Sequence, residues 1–166
     1  MEKANTVQQG ELIATAAIDI NAPIDIVWSV MLDFRKYREW NPFIIDVDNI
    51  PETLVIGSRF LLHVCWADGT TATSWETVTH LTPPSTTEDE SFKALLTYRY
   101  SSWLARSGLV QATREQFLSQ HKGQSTSYRT KESFHGLLVS SLPLLAVQDG
   151  FQRHAEALKQ RTEQLR

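Results

Sequence analysis

A chain of 166 residues with 42% hydrophobic content is long enough to bury one full core unaided, so a single domain spanning residues 1–166 is expected. The formal net charge of −3, with no Lys/Arg cluster longer than two residues, excludes an electrostatic surface for a nucleic-acid backbone or an anionic membrane. One cysteine, Cys65, excludes an internal disulfide and makes a reducing cytoplasm the default setting.

Glu11–Ile20 alternates imperfectly but is β-branched enough to read as a strand, and Asn21-Ala22-Pro23 hands it over to a helix, since proline suits a first helical turn. Ile24, Val27, Trp28, Met31 and Leu32 then recur at helical spacing, and a second short helix carrying Phe34, Tyr37 and Trp40 ends at Asn41-Pro42. Six strands are expected next: Phe43–Ile50, Ser58–Ala67, Thr71–Leu81, Ser91–Ser101, Leu109–Gln120 and Gln124–His135. Between them lie Pro51-Glu52, Asp68-Gly69, the Pro83–Glu90 loop, the Ser101–Gly108 segment and His121-Lys122-Gly123.

Beyond Gly136 the period becomes helical, with Leu144, Val147, Phe151, Ala155, Leu158 and Leu165 on one stripe. Gly150 inside that stripe implies either a bend or a close approach to the helix backbone. The polar amino terminus Met1–Gly10 lacks a secretory apolar segment, and the run Leu137–Val147 is too short to span a bilayer, so no membrane insertion is expected. The order of elements describes an α+β domain: a curved antiparallel sheet of about seven strands wrapped around a long C-terminal helix, with two short helices after the first strand.

Several strings resemble the START-like, or SRPBCC, superfamily, which includes polyketide cyclases, lipid-transfer domains and the birch-pollen allergen. They are Ile20-Asn21-Ala22-Pro23 with Val27-Trp28, Trp40-Asn41-Pro42-Phe43, Glu132 to Leu138 on the last strand, and Ala157-Leu158-Lys159 in the helix. The resemblance covers nearly the whole chain and implies a helix-grip fold with a cavity between sheet and helix, a scaffold shared by many activities. Related bacterial sequences often carry histidine two residues before a phenylalanine on the next-to-last strand, where this chain has Glu115 before Phe117.

Alternation assigns the inward faces. Phe60, Leu62, Val64 and Trp66 are chosen on one strand, and Phe92, Leu96, Tyr98 and Tyr100 on another. On the last two strands the inward sets are Thr113, Glu115 and Phe117, then Tyr128, Thr130, Glu132 and Phe134. A hairpin turn near His121–Gly123 would set Glu115 opposite Thr130 and within roughly 7–8 Å of Glu132, making the two glutamates a candidate acid and base. Trp66, Trp75 and Trp103 are candidates to stack a flat ligand, and Tyr98, Tyr100 and Tyr128 to orient a polar group, with core packing as the alternative for each. Phe117, Phe134, Val147 and Phe151 complete the expected ligand-binding set.

His154 stands at the edge of the helical stripe, where either a surface or a site role is open. No phosphate loop, dinucleotide fingerprint or zinc spacing occurs, so no cofactor and no metal are expected, and any chemistry would be acid–base chemistry. Two functions follow: a monomer or homodimer binding a hydrophobic or aromatic small molecule such as a lipid or polyketide-like metabolite, or a cofactor-free cyclase or isomerase using Glu115 and Glu132. A third, interaction through the outer sheet face, has only the basic set Arg59, His63, Lys93, Arg99, Arg129 and Lys131 behind it.

Overall fold

The computed structural model describes residues 11–87 and 90–165. Strand β1 (Leu12–Ile20) leads through Pro23 into helix α1 (Ile24–Leu32), a 3-10 turn at Phe34–Lys36 and the single turn α2 (Tyr37–Trp40). The strands β2 (Ile44–Asp48), β3 (Arg59–Cys65), β4 (Thr71–Thr86) and β5 (Ser91–Tyr100) follow. A one-turn helix, α3 (Trp103–Arg106), precedes β6 (Gln111–His121) and β7 (Thr126–His135), and the long helix α4 (Leu144–Gln164) comes last. All seven strands form one antiparallel sheet in the order β1-β7-β6-β5-β4-β3-β2, so the first strand closes against the last.

The expected elements are present, with two differences. The Ser101–Gly108 connection contains α3, opened by the Ser102 hydroxyl, which accepts from Leu104 N at 3.1 Å. Strand β4 also runs on through Pro83 and Pro84, which the sequence reading places in a loop. The prolines are tolerated there because β3 pairs only with Thr71–Thr77, leaving the far half of β4 without a neighbouring strand on that side, and because the register with β5 shifts between Thr82 and Ser85. Residues 88 and 89 of the expected Pro83–Glu90 loop, and the polar segment Met1–Gly10, lie outside the described residues.

Helix α4 is fastened along both open edges of the sheet. On the β1 side the Gln148 amide exchanges hydrogen bonds with the Thr15 backbone, Lys159 Nζ donates to Asp19 O at 2.8 Å, and Asn21 N donates to Glu163 Oε1 at 2.8 Å. On the β2–β3 side Arg153 donates to Pro42 O at 2.9 Å and Cys65 O at 3.0 Å. The Thr15 and Asp19 contacts occupy backbone groups that the edge strand β1 otherwise leaves unpaired.

Two glycines carry the meaning the sequence suggested. Gly150 receives the Phe43 ring so closely that a Cβ there would lie 2.4 Å from Cε2, so the close approach, not a bend, accounts for it. Gly136, at φ +121°, turns the chain out of β7 against the Leu109 carbonyl, where a Cβ would lie 2.5 Å away. Among the described residues no helix is long and apolar enough to cross a membrane.

Candidate functional site

Between the sheet and α4 lies a cavity of about 260 Å³. Its walls are mostly apolar: Phe43, Leu62 and Val64 from the β2–β3 side, Tyr98 and Tyr100 from β5, and Val147 and Phe151 from α4. Leu104 of α3, Val110, and Leu142 and Pro143 before α4 border one end. The β3 and β5 faces are those that alternation assigned, because every inward position of both strands is apolar or aromatic, while the outer faces carry Arg59, His63, Lys93 and Arg99 beside Leu61 and Leu95.

Of the sequence candidates, Trp66, Tyr98, Tyr100, Glu132, Phe134, Val147 and Phe151 border the cavity. Four others do not. Glu115 is exposed on the outer face, opposite Lys131, and Phe117 shares that face opposite Arg129. Trp75 is also on the outer face, opposite Leu61 and beneath the Arg59 guanidinium at 5.1 Å from its ring centre. Trp103 of α3 is 71% exposed, and its neighbour Leu104 borders the cavity in its place.

Tyr128 is inward and fully buried, yet it too is absent from the cavity lining, donating to Gln116 Oε1 at 2.8 Å behind the wall. The cause of the Glu115 and Phe117 errors is one residue of register. Gln116, not Glu115, pairs with Thr130, and a shift by one turns every side chain of a strand to the other face.

The corrected faces bring in residues that the sequence reading missed. On β6 the inward set is Ala112, Arg114, Gln116 and Leu118; on β4 it is Ser74, Glu76 and Val78. Arg114 and Glu76 both border the cavity, so its charged groups are Glu76, Glu132 and Arg114, and the inward carboxylate pair is Glu76 with Glu132. Propagating the clear parity of β3 across the short Trp66–Thr70 turn finds Glu76, since Phe60 pairs with Glu76 and Leu62 with Ser74.

The electrostatics follow from burial. Glu76 accepts from Ser74 Oγ at 2.5 Å, but removal from water and the neighbouring Glu132 push its carboxyl up to about 8. Burial also raises Glu132, to about 7, against the opposing pull of Arg114. Both carboxyls therefore exchange protons near neutral pH. Arg114 Nε donates to Thr130 Oγ1 at 3.0 Å and Nη1 to Tyr98 Oη at 3.1 Å, with the guanidinium 4.1 Å from the Phe151 ring centre. Burial opposes its charge, but the Tyr98 phenol oxygen that accepts from it and the neighbouring Glu132 favour the protonated guanidinium.

His154 is fully buried, not at the surface. Asn41 Oδ1 accepts from Phe43 N and Ile44 N, which turns the Asn41 amide nitrogen toward His154 Nδ1 at 2.8 Å. Nδ1 is thereby the acceptor and Nε2 carries the proton, packed among the rings of Tyr37, Trp40 and Tyr128. Burial and then Arg114 hold the imidazole well below its ordinary pKa, so it stays neutral. Through Asn41 it ties the Trp40-Asn41-Pro42-Phe43 string to α4. Among the described residues no three His, Cys, Asp or Glu side chains converge as metal ligands.

Comparison with known proteins agrees with this architecture. No curated protein sequence matches. Among solved structures, major latex-like protein 151 from Panax ginseng superposes with a TM-score of 0.67 at 14% identity, over 93% of this chain and 97% of that one. The Zhui aromatase/cyclase from Streptomyces sp. R1128 gives 0.65 at 17% identity over 95% and 97%. A START superfamily protein from Mycobacterium smegmatis gives 0.61 at 17% over 95% and 100%. At such identities these likenesses show the shared helix-grip fold. The family model for polyketide cyclase / dehydrase and lipid transport matches residues 12–163, nearly the whole sheet and helix, and the chain belongs to that family.

Proposed function

We propose that the protein binds a hydrophobic or aromatic small molecule, of lipid or polyketide-like character, between the sheet and α4. The observation that carries this reading is the cavity itself: about 260 Å³ of space walled largely by Phe, Leu, Val and Tyr side chains. Interiors pack densely, and an apolar void of this size forfeits dispersion contacts that a ligand would restore. The names of the family and of the aromatase/cyclase neighbour support the same class of ligand.

Native mass spectrometry of the purified protein tests the proposal, followed by thermal-shift titration with fatty acids, sterols, flavonoids and aromatic polyketides. A copurified or strongly stabilising ligand, displaced when Ala112 is enlarged to phenylalanine, is expected. No stabilisation by any member of the panel would sink the reading.

A second reading, cofactor-free isomerisation or cyclisation, is favoured by one observation: two carboxyls bordering the cavity that hold protons near neutral pH. In this reading one ionised glutamate takes the proton α to a ligand carbonyl while the other, protonated, donates to the carbonyl oxygen, leaving the enol. The acid pair is then Glu76 with Glu132. Changing either to glutamine is expected to abolish turnover while ligand affinity stays within about threefold; a ligand recovered chemically unchanged from the wild-type protein leaves binding alone.

A further inference from the structure

This inference rests on the binding reading and names the chemistry of the ligand's polar end. Arg114 is 3% exposed and borders the cavity. Its hydrogen-bond partners, Thr130 and Tyr98, are neutral, and Nη2 has no partner among the described residues. None of the ion pairs among those residues includes it. A buried cation without a contacting anion is costly, and the side chain's fork is built for two oxygens of one carboxylate.

We propose that the polar end of the cavity receives the carboxylate of an amphipathic ligand, with Arg114 as its counter-ion and Glu76 and Glu132 beside it. In their protonated forms the two glutamates donate hydrogen bonds to the ligand's oxygens; ionised, they compete with it for the same guanidinium. A neutral ligand of the same shape gains no such counter-ion.

The charge balance decides the pH dependence. Facing Arg114 are Glu76 from β4, Tyr98 from β5, Tyr128 and Glu132 from β7, Tyr37 from α2 and His154 from α4. Burial keeps the tyrosines and the histidine neutral near pH 7, so only the two glutamates change charge there. An incoming carboxylate raises the negative charge by one and draws a proton onto a glutamate. Affinity for the anion is therefore greatest below the glutamate titrations and falls by about tenfold per pH unit above them, where each binding event must take up a proton.

The test uses 2-naphthoic acid and its neutral isostere 2-naphthamide, titrated calorimetrically into the full chain at about pH 6 and about pH 8.5, in buffers of differing ionisation enthalpy. The acid is expected to bind about tenfold more tightly than the amide at the lower pH, with its advantage lost at the higher pH and about one proton taken up on binding near pH 7.5. Arg114→Gln should remove the acid's preference and leave amide affinity within about threefold. Glu132→Gln should keep acid binding and flatten its pH profile, a readout that a purely structural role would not move.

Equal affinity for acid and amide at about pH 6, or an acid preference undiminished in Arg114→Gln, would overturn the proposal and leave the binding reading standing. If Arg114→Gln does not fold by circular dichroism, Arg114→Lys decides, since losing the fork should cost acid affinity about fivefold and amide affinity little. If neither naphthalene probe nor any member of the wider ligand panel binds, the binding reading fails and takes this one with it.

Discussion

The interior between the sheet and α4 has two ends built to different standards. One end is plugged by α1, whose nine residues bury Ile24, Val27, Trp28, Val30 and Met31, and is filled by the fully buried Leu118, Tyr128 and Leu158. The other is spanned by α3, four residues with none buried, and by the segment leading into α4, and it is hollow. Sheet and helix are common to both. The size of the cavity is therefore set by what closes each end, and the polar groups follow the same division: the closed end keeps neutral, hydrogen-bonded Gln116 and Tyr128, while the open end carries Glu76, Glu132 and Arg114.

The contrast breaks most directly under truncation. Leu118→Ala at the packed end should cost about 3 kcal/mol, the lost transfer energy plus an unfilled cavity, whereas Val147→Ala on the hollow wall should cost about 1 kcal/mol because its neighbours there are fewer. Urea unfolding of the two variants checks this; since Leu→Ala removes one carbon more than Val→Ala, a loss at Val147 as large as that at Leu118 would mean that the wall there is not hollow.

Titration gives the next effect. Both inward glutamates hold protons in the folded state at a pH where the unfolded chain has released them, so stability falls as pH rises from the ordinary carboxylate range through about 8 and then levels. His154 acts with the opposite sign. Its lowered pKa means a contribution fully present above the unfolded imidazole pKa and lost as pH falls below it, so between the imidazole range and the tyrosine range, where buried Tyr37, Tyr98 and Tyr128 add a further fall, the slope reports the glutamates. Between about pH 6.5 and 8.5 the wild-type protein should lose on the order of 2 kcal/mol, and Glu76→Gln should remove most of that slope. An unchanged slope in the variant would place the titrating group elsewhere.

Gly150→Ala is expected to destabilise by about 1 kcal/mol, because displacing the Phe43 ring costs more than the gain in helix propensity returns. Thermal melts with and without ligand separate the packing effect from the intrusion of that ring into the cavity. The smallest change in stability is expected from Ala112→Phe, within about 1 kcal/mol of wild type because it fills space, yet with ligand binding lost. Ala94→Phe, across from Leu118 at the packed end, has no such space and should be markedly less stable.

The scaffold was legible because its signals are redundant. Pro23, the Trp40-Asn41-Pro42-Phe43 string, Gly136 and the α4 stripe each mark a boundary, and the tight strands β3 and β5 alternate without exception on their inward faces. The site was legible only where that alternation is clean. On β6 the sequence offers Phe117 on one face and Leu118 on the other, with charged or amide side chains on both, so hydrophobicity alone cannot choose a face and a buried arginine argues for the wrong one. On β4 Trp75 outweighs Ser74 and Glu76 in the same way, although its ring lies under Arg59 outside. A site built from inward charges is where pattern reading is weakest, since those charges oppose the pattern.

The pairing of β1 with β7, which sets Leu12 beside Phe134, has a consequence for synthesis. The opening strand waits unpaired on the ribosome until more than a hundred further residues have been added, and α4, which fastens the sheet's two edges, emerges later still. Such long-range closure is slow, and the exposed edge of β1 is a hazard until it happens. The meander from β2 to β7 can assemble during translation, but the binding chamber is walled on its second side only once α4 has emerged, so a chain cut between β7 and α4 keeps every strand and has no chamber.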